Sequence, residues 1–214
     1  TDPLIKSYRS VEEQGRAVDE KDPELFYQFV EKTRAEDTAF LVYTSGTTGL
    51  PKGCMIPHGN HMLNIHGINN ILELSDRDSV VSYLPLCHIL ERGISMSIPL
   101  VFGYTINFAE SIETVQENIH EISPTFFAAV PRILEKMHST VMLKIQDTTP
   151  FKRFMFNLFI PVGKRVAEYR MAKKPLPPHW LLLYGLAYLF VFRSTREKSG
   201  LLSCRILMSG GAPI

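Results

Sequence analysis

Apolar and polar positions alternate along this chain in two distinct periods. Ala39 to Tyr43 is a short apolar, β-prone run, and Ser79 to Leu84, Tyr104 to Phe108, Thr125 to Val130 and Arg205 to Met208 are further strand candidates. Between them the period changes to that of a helix. Met62, Ile65, Ile68 and Leu72 recur at helical spacing within 58–74, and 88–102 and the stretch from Ser111 to Ile122 read as helices, with Gly103 and Ser123-Pro124 as stops. Pro131 opens another helix. Asp22-Pro23-Glu24 has the form of a helix start, with a capping aspartate and proline at the first helical position. Residues 1–21 show little periodicity. Strand and helix in alternation, with short links, predict an α/β fold: a largely parallel sheet with flanking helices.

Residues 139–200 depart from that alternation and read as an all-helical insertion. Met155, Leu158, Phe159 and Val162 mark one face, and Pro175-Leu176-Pro177-Pro178 is a stiff link. Trp180 to Phe192 is almost wholly apolar. At about 1.5 Å per residue it reaches roughly 20 Å, short of the roughly 30 Å hydrocarbon core, so it does not predict a membrane span. Basic residues flank these apolar stretches: Lys152, Arg153, Lys164, Arg165, Arg170, Lys173 and Lys174, then Arg193, Arg196 and Lys198. They fit either a helix lying on an anionic bilayer or a solvated face of a helix packed on protein.

Composition adds bounds. The 214 residues carry 23 Lys and Arg against 22 Asp and Glu, a net +1, which offers no basic footprint for nucleic acid. Cys54, Cys87 and Cys204 have no metal-ligand spacing, and so sparse an odd count suits a reducing compartment. His58, His61 and His66 do not share one helical face and lack an acid to complete a metal set.

The chemistry concentrates after the first strand. In Tyr43-Thr44-Ser45-Gly46-Thr47-Thr48-Gly49-Leu50-Pro51-Lys52-Gly53, four hydroxyl side chains are threaded between glycines and followed by one lysine. Glycine permits sharp turns and close backbone approach, and exposed N–H groups with a point charge suit a polyphosphate. The alternatives are a Walker A loop and a plain surface turn. Walker A fails: the residues after Gly46 lack the second glycine and the final hydroxyl of G-x-x-x-x-G-K-[ST].

The run from Thr44 to Gly53 resembles, position by position, the phosphate-binding loop of the adenylate-forming (AMP-binding) superfamily, and most of all that of its long-chain fatty acyl-CoA synthetases. Two further segments resemble the same family in the same order. Pro85-Leu86-Cys87-His88-Ile89-Leu90-Glu91-Arg92 is similar to a Pro-Leu-x-His-x-x-Glu-Arg segment, and Ser209-Gly210-Gly211-Ala212-Pro213 to a Ser-Gly-Gly-Ala-Pro motif. Phe126 to Lys136 also resembles the long-chain branch; most of it reads as core strand and capped helix, leaving only Arg132 and Glu135 as candidates for more. On its own, His88 reads as a structural histidine, and Glu91 with Arg92 as a helix-start ion pair.

The resemblance implies part of the large N-terminal domain of an adenylate-forming enzyme. It implies ATP binding by Thr44, Ser45, Gly46, Thr47, Thr48, Gly49 and Lys52, with Thr44 on the magnesium side. Gly210, Gly211, Ala212 and Pro213 would line the adenine and acyl-adenylate site, and His88 would border the acyl pocket. ATP, Mg2+ and coenzyme A are the implied cofactors and co-substrates, and a fatty acid is the implied substrate. Peripheral membrane contact and a homodimer are further options, and a cytoplasmic location is expected. The motifs of the family's later parts, including its C-terminal domain, do not occur within the 214 residues. The chain therefore reads as a fragment, expected to make no acyl-CoA alone. Two other readings stand beside this one: another adenylate-forming ligase with a different acceptor, and a non-catalytic nucleotide- or lipid-binding module.

Overall fold

The structure is a computed structural model that describes residues 5–44 and 50–210. The chain divides into two compact units, Thr1–Ile68 and Asn69–Ile214.

The first unit opens with α1 (Tyr8–Asp19), a helix that hydrophobic periodicity does not announce because it buries no residue. Local chemistry holds it. The Ser7 hydroxyl accepts from the Ser10 N–H at 3.1 Å, and Arg9 reaches Glu13 one turn on at 3.5 Å. Helix α2 (Leu25–Lys32) begins slightly later than the Asp22-Pro23 signal predicts. The Asp22 N–H is bonded back to the Val18 carbonyl, and the Asp22 carbonyl takes the Leu25 N–H, so 22–24 forms the turn between the helices. Strand β1 (Thr38–Thr44) then pairs antiparallel with β2 (Lys52–Pro57), from Thr38 opposite Pro57 to Thr44 opposite Lys52. The pattern of the sequence does not single out β2, since Lys52 and Gly53 read there as the end of a loop. Gly53 faces Tyr43 across the ladder, and a Cβ at Gly53 would come within 3.3 Å of the tyrosine ring. A side chain there would press on the ring and shift it by a few tenths of an ångström. Helix α3 (His58–Leu72) follows directly, and the division between the units falls within it. The His61 ring packs edge-on to Phe40 at 4.6 Å, a structural role.

The second unit carries the predicted parallel pairing. Strand β3 (Ser79–Ser82) pairs with β4 (Thr105–Phe108), and β5 (Phe126–Ala129) with β6 (Ile206–Ser209), both parallel. Bonds at the strand starts join the pairs: the Thr125 N–H donates to the Ser79 carbonyl at 3.1 Å, and the Ser79 N–H to the Thr125 hydroxyl at 2.9 Å. The spatial order is thus β4, β3, β5, β6. β3 and β5 are buried on nearly every residue, as strands covered on both faces must be.

Between β3 and β4 the predicted single helix is three segments: α4 (Ile89–Arg92), a π-helical turn over Gly93–Ser97, and α5 (Ile98–Phe102). Pro99 has no N–H to continue the α-helical ladder, which is the physical reason for a break here. Gly103 closes α5 in the left-handed conformation, as its position predicts. Helix α6 (Val115–Ile122) joins β4 to β5; Ser111 sits four residues ahead of it and bonds Thr114 rather than capping the first turn. Val81, Tyr83, Val115, Ile119, Phe127, Ala129, Met137 and Cys204 form the core around these strands.

The helical segment comprises α7 (Pro131–Gln146), α8 (Pro150–Met171), α9 (Pro178–Ala187), a π-helical turn over Tyr188–Phe192, and α10 (Arg193–Lys198). It builds its own core from Phe156, Phe159, Val162, Ala187 and Val191. Among the described residues no helix is long and apolar enough to cross a membrane. Gly200 returns the chain to β6 at φ +70°, where a Cβ would stand 2.5 Å from the backbone of His120.

At the strand starts Asp78, 4% exposed, receives the Arg205 guanidinium at 2.9 and 2.6 Å, the Thr125 hydroxyl at 2.7 Å and the Ser75 N–H at 3.0 Å. Arg205 also donates to the carbonyls of Leu72 and Glu73. The Arg205 hydrogen bonds hold the Asp78 carboxyl down to about 2, well below its ordinary 3.8, outweighing the cost of burial. Its folded-state value is depressed, so its stabilising contribution is complete above pH 4 and disappears as pH falls toward 2. Arg205→Ala should destabilise the full-length protein by about 2–4 kcal/mol at neutral pH, because it strands a buried carboxylate. Denaturant midpoints of wild type and variant measured from pH 7 to pH 2 check this: the gap should close on acidification.

Candidate functional site

The register of the β1–β2 hairpin places the phosphate-loop residues. Thr44 ends β1 and Lys52 begins β2, and the two are directly paired across the ladder. The register sets these two positions together at the mouth of the intervening loop. Lys52 is exposed. Ser45, Gly46, Thr47, Thr48 and Gly49 lie outside the described residues, as do Gly211, Ala212 and Pro213.

In the second unit the carboxyl ends of the parallel strands gather the other motifs. β3 ends at Ser82 and leads through Tyr83 to His88; β5 ends at Ala129 and leads into α7; β6 ends at Ser209 and leads to Gly210. Crevices beyond the carboxyl ends of parallel strands are the usual ligand positions of α/β sheets. His88 is exposed and stands at the N-cap of α4, its carbonyl accepting from the Arg92 N–H at 3.0 Å. At Gly210 a Cβ would meet no described atom within 4 Å, which leaves room for a flat group against the backbone. The Ser209 hydroxyl is buried and has no hydrogen-bond partner among the described residues. Arg132 and Glu135 are exposed on the first turns of α7.

Tyr83 and Glu91, the second a residue of the Pro-Leu-x-His-x-x-Glu-Arg segment, support this end of the sheet. The Tyr83 hydroxyl donates to the Ala128 carbonyl at 3.0 Å and accepts from the Val130 N–H at 3.2 Å. One phenol therefore fixes the turn from β5 into α7, and its burial pushes its own pKa up. Glu91, only 3% exposed, does not point to solvent as a helix-start residue would. It accepts from the hydroxyls of Ser82 and Ser95, both at 2.6 Å, and so ties the end of β3 to the π-helical turn. Tyr104 closes the same region by donating to the Ile94 carbonyl at 2.5 Å; burial, and then the charge of Glu91, raise its pKa. For Tyr83 the sequence signal was position, an aromatic hydroxyl one residue past a strand end; Glu91 lies nine residues beyond Ser82, and only the fold brings the two together.

The three cysteines are free, Cys204 buried and Cys54 and Cys87 exposed. Among the described residues no group of three His, Cys, Asp or Glu could hold a metal ion.

A family model described as AMP-binding enzyme matches residues 3–214, and the chain belongs to that family. It is 32% identical over 214 residues to Long-chain-fatty-acid--CoA ligase ACSBG2 of Homo sapiens, covering 98% of this chain and 31% of that protein. It is 30% identical over 194 residues to Long chain acyl-CoA synthetase 3 of Arabidopsis thaliana, covering 88% of this chain and 28% of that one. The chain thus spans less than a third of the length of these relatives. A solved malonyl-CoA ligase ternary product complex, with methylmalonyl-CoA and AMP bound, is 26% identical over 52% of this chain and 25% of that chain, with a TM-score of 0.48.

Tyr83→Phe should cost about 1 kcal/mol, since it leaves the half-buried Val130 N–H without its acceptor. Thermal unfolding of the full-length protein measures the loss, and an unchanged midpoint would show that the phenol hydroxyl does not fix the β5–α7 turn.

Proposed function

We propose that the protein to which this chain contributes activates a long-chain fatty acid in two steps. In the first, a carboxylate oxygen of the acid attacks the α-phosphorus of ATP, the bond to the bridging oxygen breaks, and pyrophosphate leaves as acyl-adenylate forms. In the second, the sulfur of coenzyme A attacks the acyl carbon and AMP departs with the oxygen that joined it to the acyl group. The observation that carries this reading is the hairpin register: Thr44 and Lys52 are paired across the ladder at the two ends of a hydroxyl- and glycine-rich loop. Membership of the AMP-binding enzyme family and the names of the long-chain relatives support it.

The chain's own residues supply charge neutralisation and position. Lys52 places a cation beside the phosphates, and the loop offers backbone N–H groups and the hydroxyls of Ser45, Thr47 and Thr48. Donors that are already in place when charge develops on the transferring phosphoryl group need no reorganisation. Magnesium, when bound, would offset further phosphate charge, with Thr44 as its protein-side hydroxyl. Gly210 and Gly211 would admit the adenine ring, and His88 would stand beside the acid substrate. No nucleophilic side chain is called for, because the substrate carboxylate is itself the nucleophile.

Lys52→Ala and Thr44→Ala in the full-length protein should each slow acid-dependent pyrophosphate exchange by about 10²-fold or more, the scale for losing a preorganised donor. Wild-type exchange in both variants would remove the loop from the reaction. Supplying coenzyme A against a carrier protein as the second-step acceptor separates the thioester-forming ligase from the other adenylate-forming readings.

A further inference from the structure

The turn from Pro85 to His88 is held from two directions, and both holds come from adjacent residues of α4. The His88 N–H donates to the Pro85 carbonyl at 2.9 Å, and the His88 carbonyl accepts from the Arg92 N–H at 3.0 Å. The half-buried Arg92 side chain turns back along the chain, and its Nε donates to the Leu86 carbonyl at 3.1 Å. One arginine therefore grips the turn at two carbonyls, those of Leu86 and His88. The His88 imidazole is exposed and makes no capping bond to α4, so its place is set through the backbone.

Glu91 holds the same short helix from the side of the sheet. Its Oε1 accepts from the Ser82 hydroxyl at the end of β3 and from the Ser95 hydroxyl four residues on, both at 2.6 Å. All three residues are buried. Desolvating a carboxylate is costly, and apolar side chains of the same volume would often stabilise such a place as well or better. What the carboxylate adds is geometry, because two short charge-assisted bonds fix where α4 sits against the carboxyl end of β3. Ser95 belongs to the π-helical turn, whose Ile94 carbonyl takes the Tyr104 hydroxyl. Such turns inside helices recur at functional sites.

We propose that Glu91 and Arg92 are positioning residues for His88, acting on the acid substrate through the histidine without touching the substrate themselves. The proposal rests on the reading that His88 stands beside that acid. Glu91 sets the helix and Arg92 sets the turn, so the imidazole is presented in one place before substrate arrives. The role requires the hydrogen bonds of Glu91 and not its charge.

Steady-state pyrophosphate exchange by the full-length protein, with palmitate as the acid, tests this. Glu91→Ala and Arg92→Ala should each raise the KM for palmitate about tenfold and leave the KM for ATP within about twofold, since a misplacement near 1 Å can cost ~10²-fold. A merely structural defect would lower the active fraction and leave both KM values alone. Glu91→Gln keeps two bonds, because a serine hydroxyl can accept as well as donate, and should restore most of the affinity for palmitate. Combined with His88→Ala, neither alanine variant should add to the loss that His88→Ala causes by itself. Losses that multiply with His88→Ala, a parallel rise in the KM for ATP, or a Glu91→Gln variant as impaired as Glu91→Ala would each overturn the proposal. If Glu91→Ala fails to fold, the cycle of Arg92→Ala with His88→Ala decides alone. Wild-type kinetics in His88→Ala would instead remove the histidine from the site and overturn the reading beneath the proposal together with it.

Discussion

The buried carboxylate of Asp78 is the constraint on which the second unit depends. It sits just ahead of β3 and accepts from Thr125, just ahead of β5, and from Arg205, just ahead of β6. Three strands from distant parts of the chain are thereby levelled at their amino ends. Short strands of four residues have little ladder to fix their own register. A charged, geometrically demanding junction does that instead, at the cost of desolvating one carboxylate. Because strand length is fixed, levelling the starts also levels the ends, where Tyr83, Val130 and Gly210 emerge side by side.

At those carboxyl ends the chemistry of support is different. Hydroxyl groups and one carboxylate make short bonds to backbone and to each other: Tyr83 to Ala128 and Val130, Glu91 to Ser82 and Ser95, Tyr104 to Ile94. These bonds hold loops in place without filling the space in front of them, and the backbone of Gly210 stays uncovered by described atoms. Rigid walls beside an open backbone are what a site needs if it is to bind a flat ring without first rearranging.

The hairpin of the first unit solves a related problem by register. A loop whose two ends are held costs little further entropy to close. Pairing Thr44 with Lys52 does this, with Gly53 opposite Tyr43 one step further along the ladder.

Much of this was legible in the chain itself. The β3 and β5 strands follow from their apolar runs, because both are buried and burial is what such runs record, and the stop at Gly103 follows from its residue type. Family membership was legible because the residue types from Thr44 to Gly53 and from Ser209 to Pro213 stand in an order that carries the resemblance to AMP-binding enzymes. What the sequence left silent has physical reasons of its own. Helix α1 buries nothing, so it has no apolar stripe to read. Strand β2 is set by its partner across a loop rather than by its own pattern. The clamp of Asp78 to Arg205 joins residues 127 positions apart, and Glu91 looks like a solvent-facing acid until Ser82 and Ser95 are brought to it. Local propensity could set the elements. Only the tertiary fold could decide which distant polar groups would share a buried bond, because that choice belongs to packing and not to neighbours in the chain.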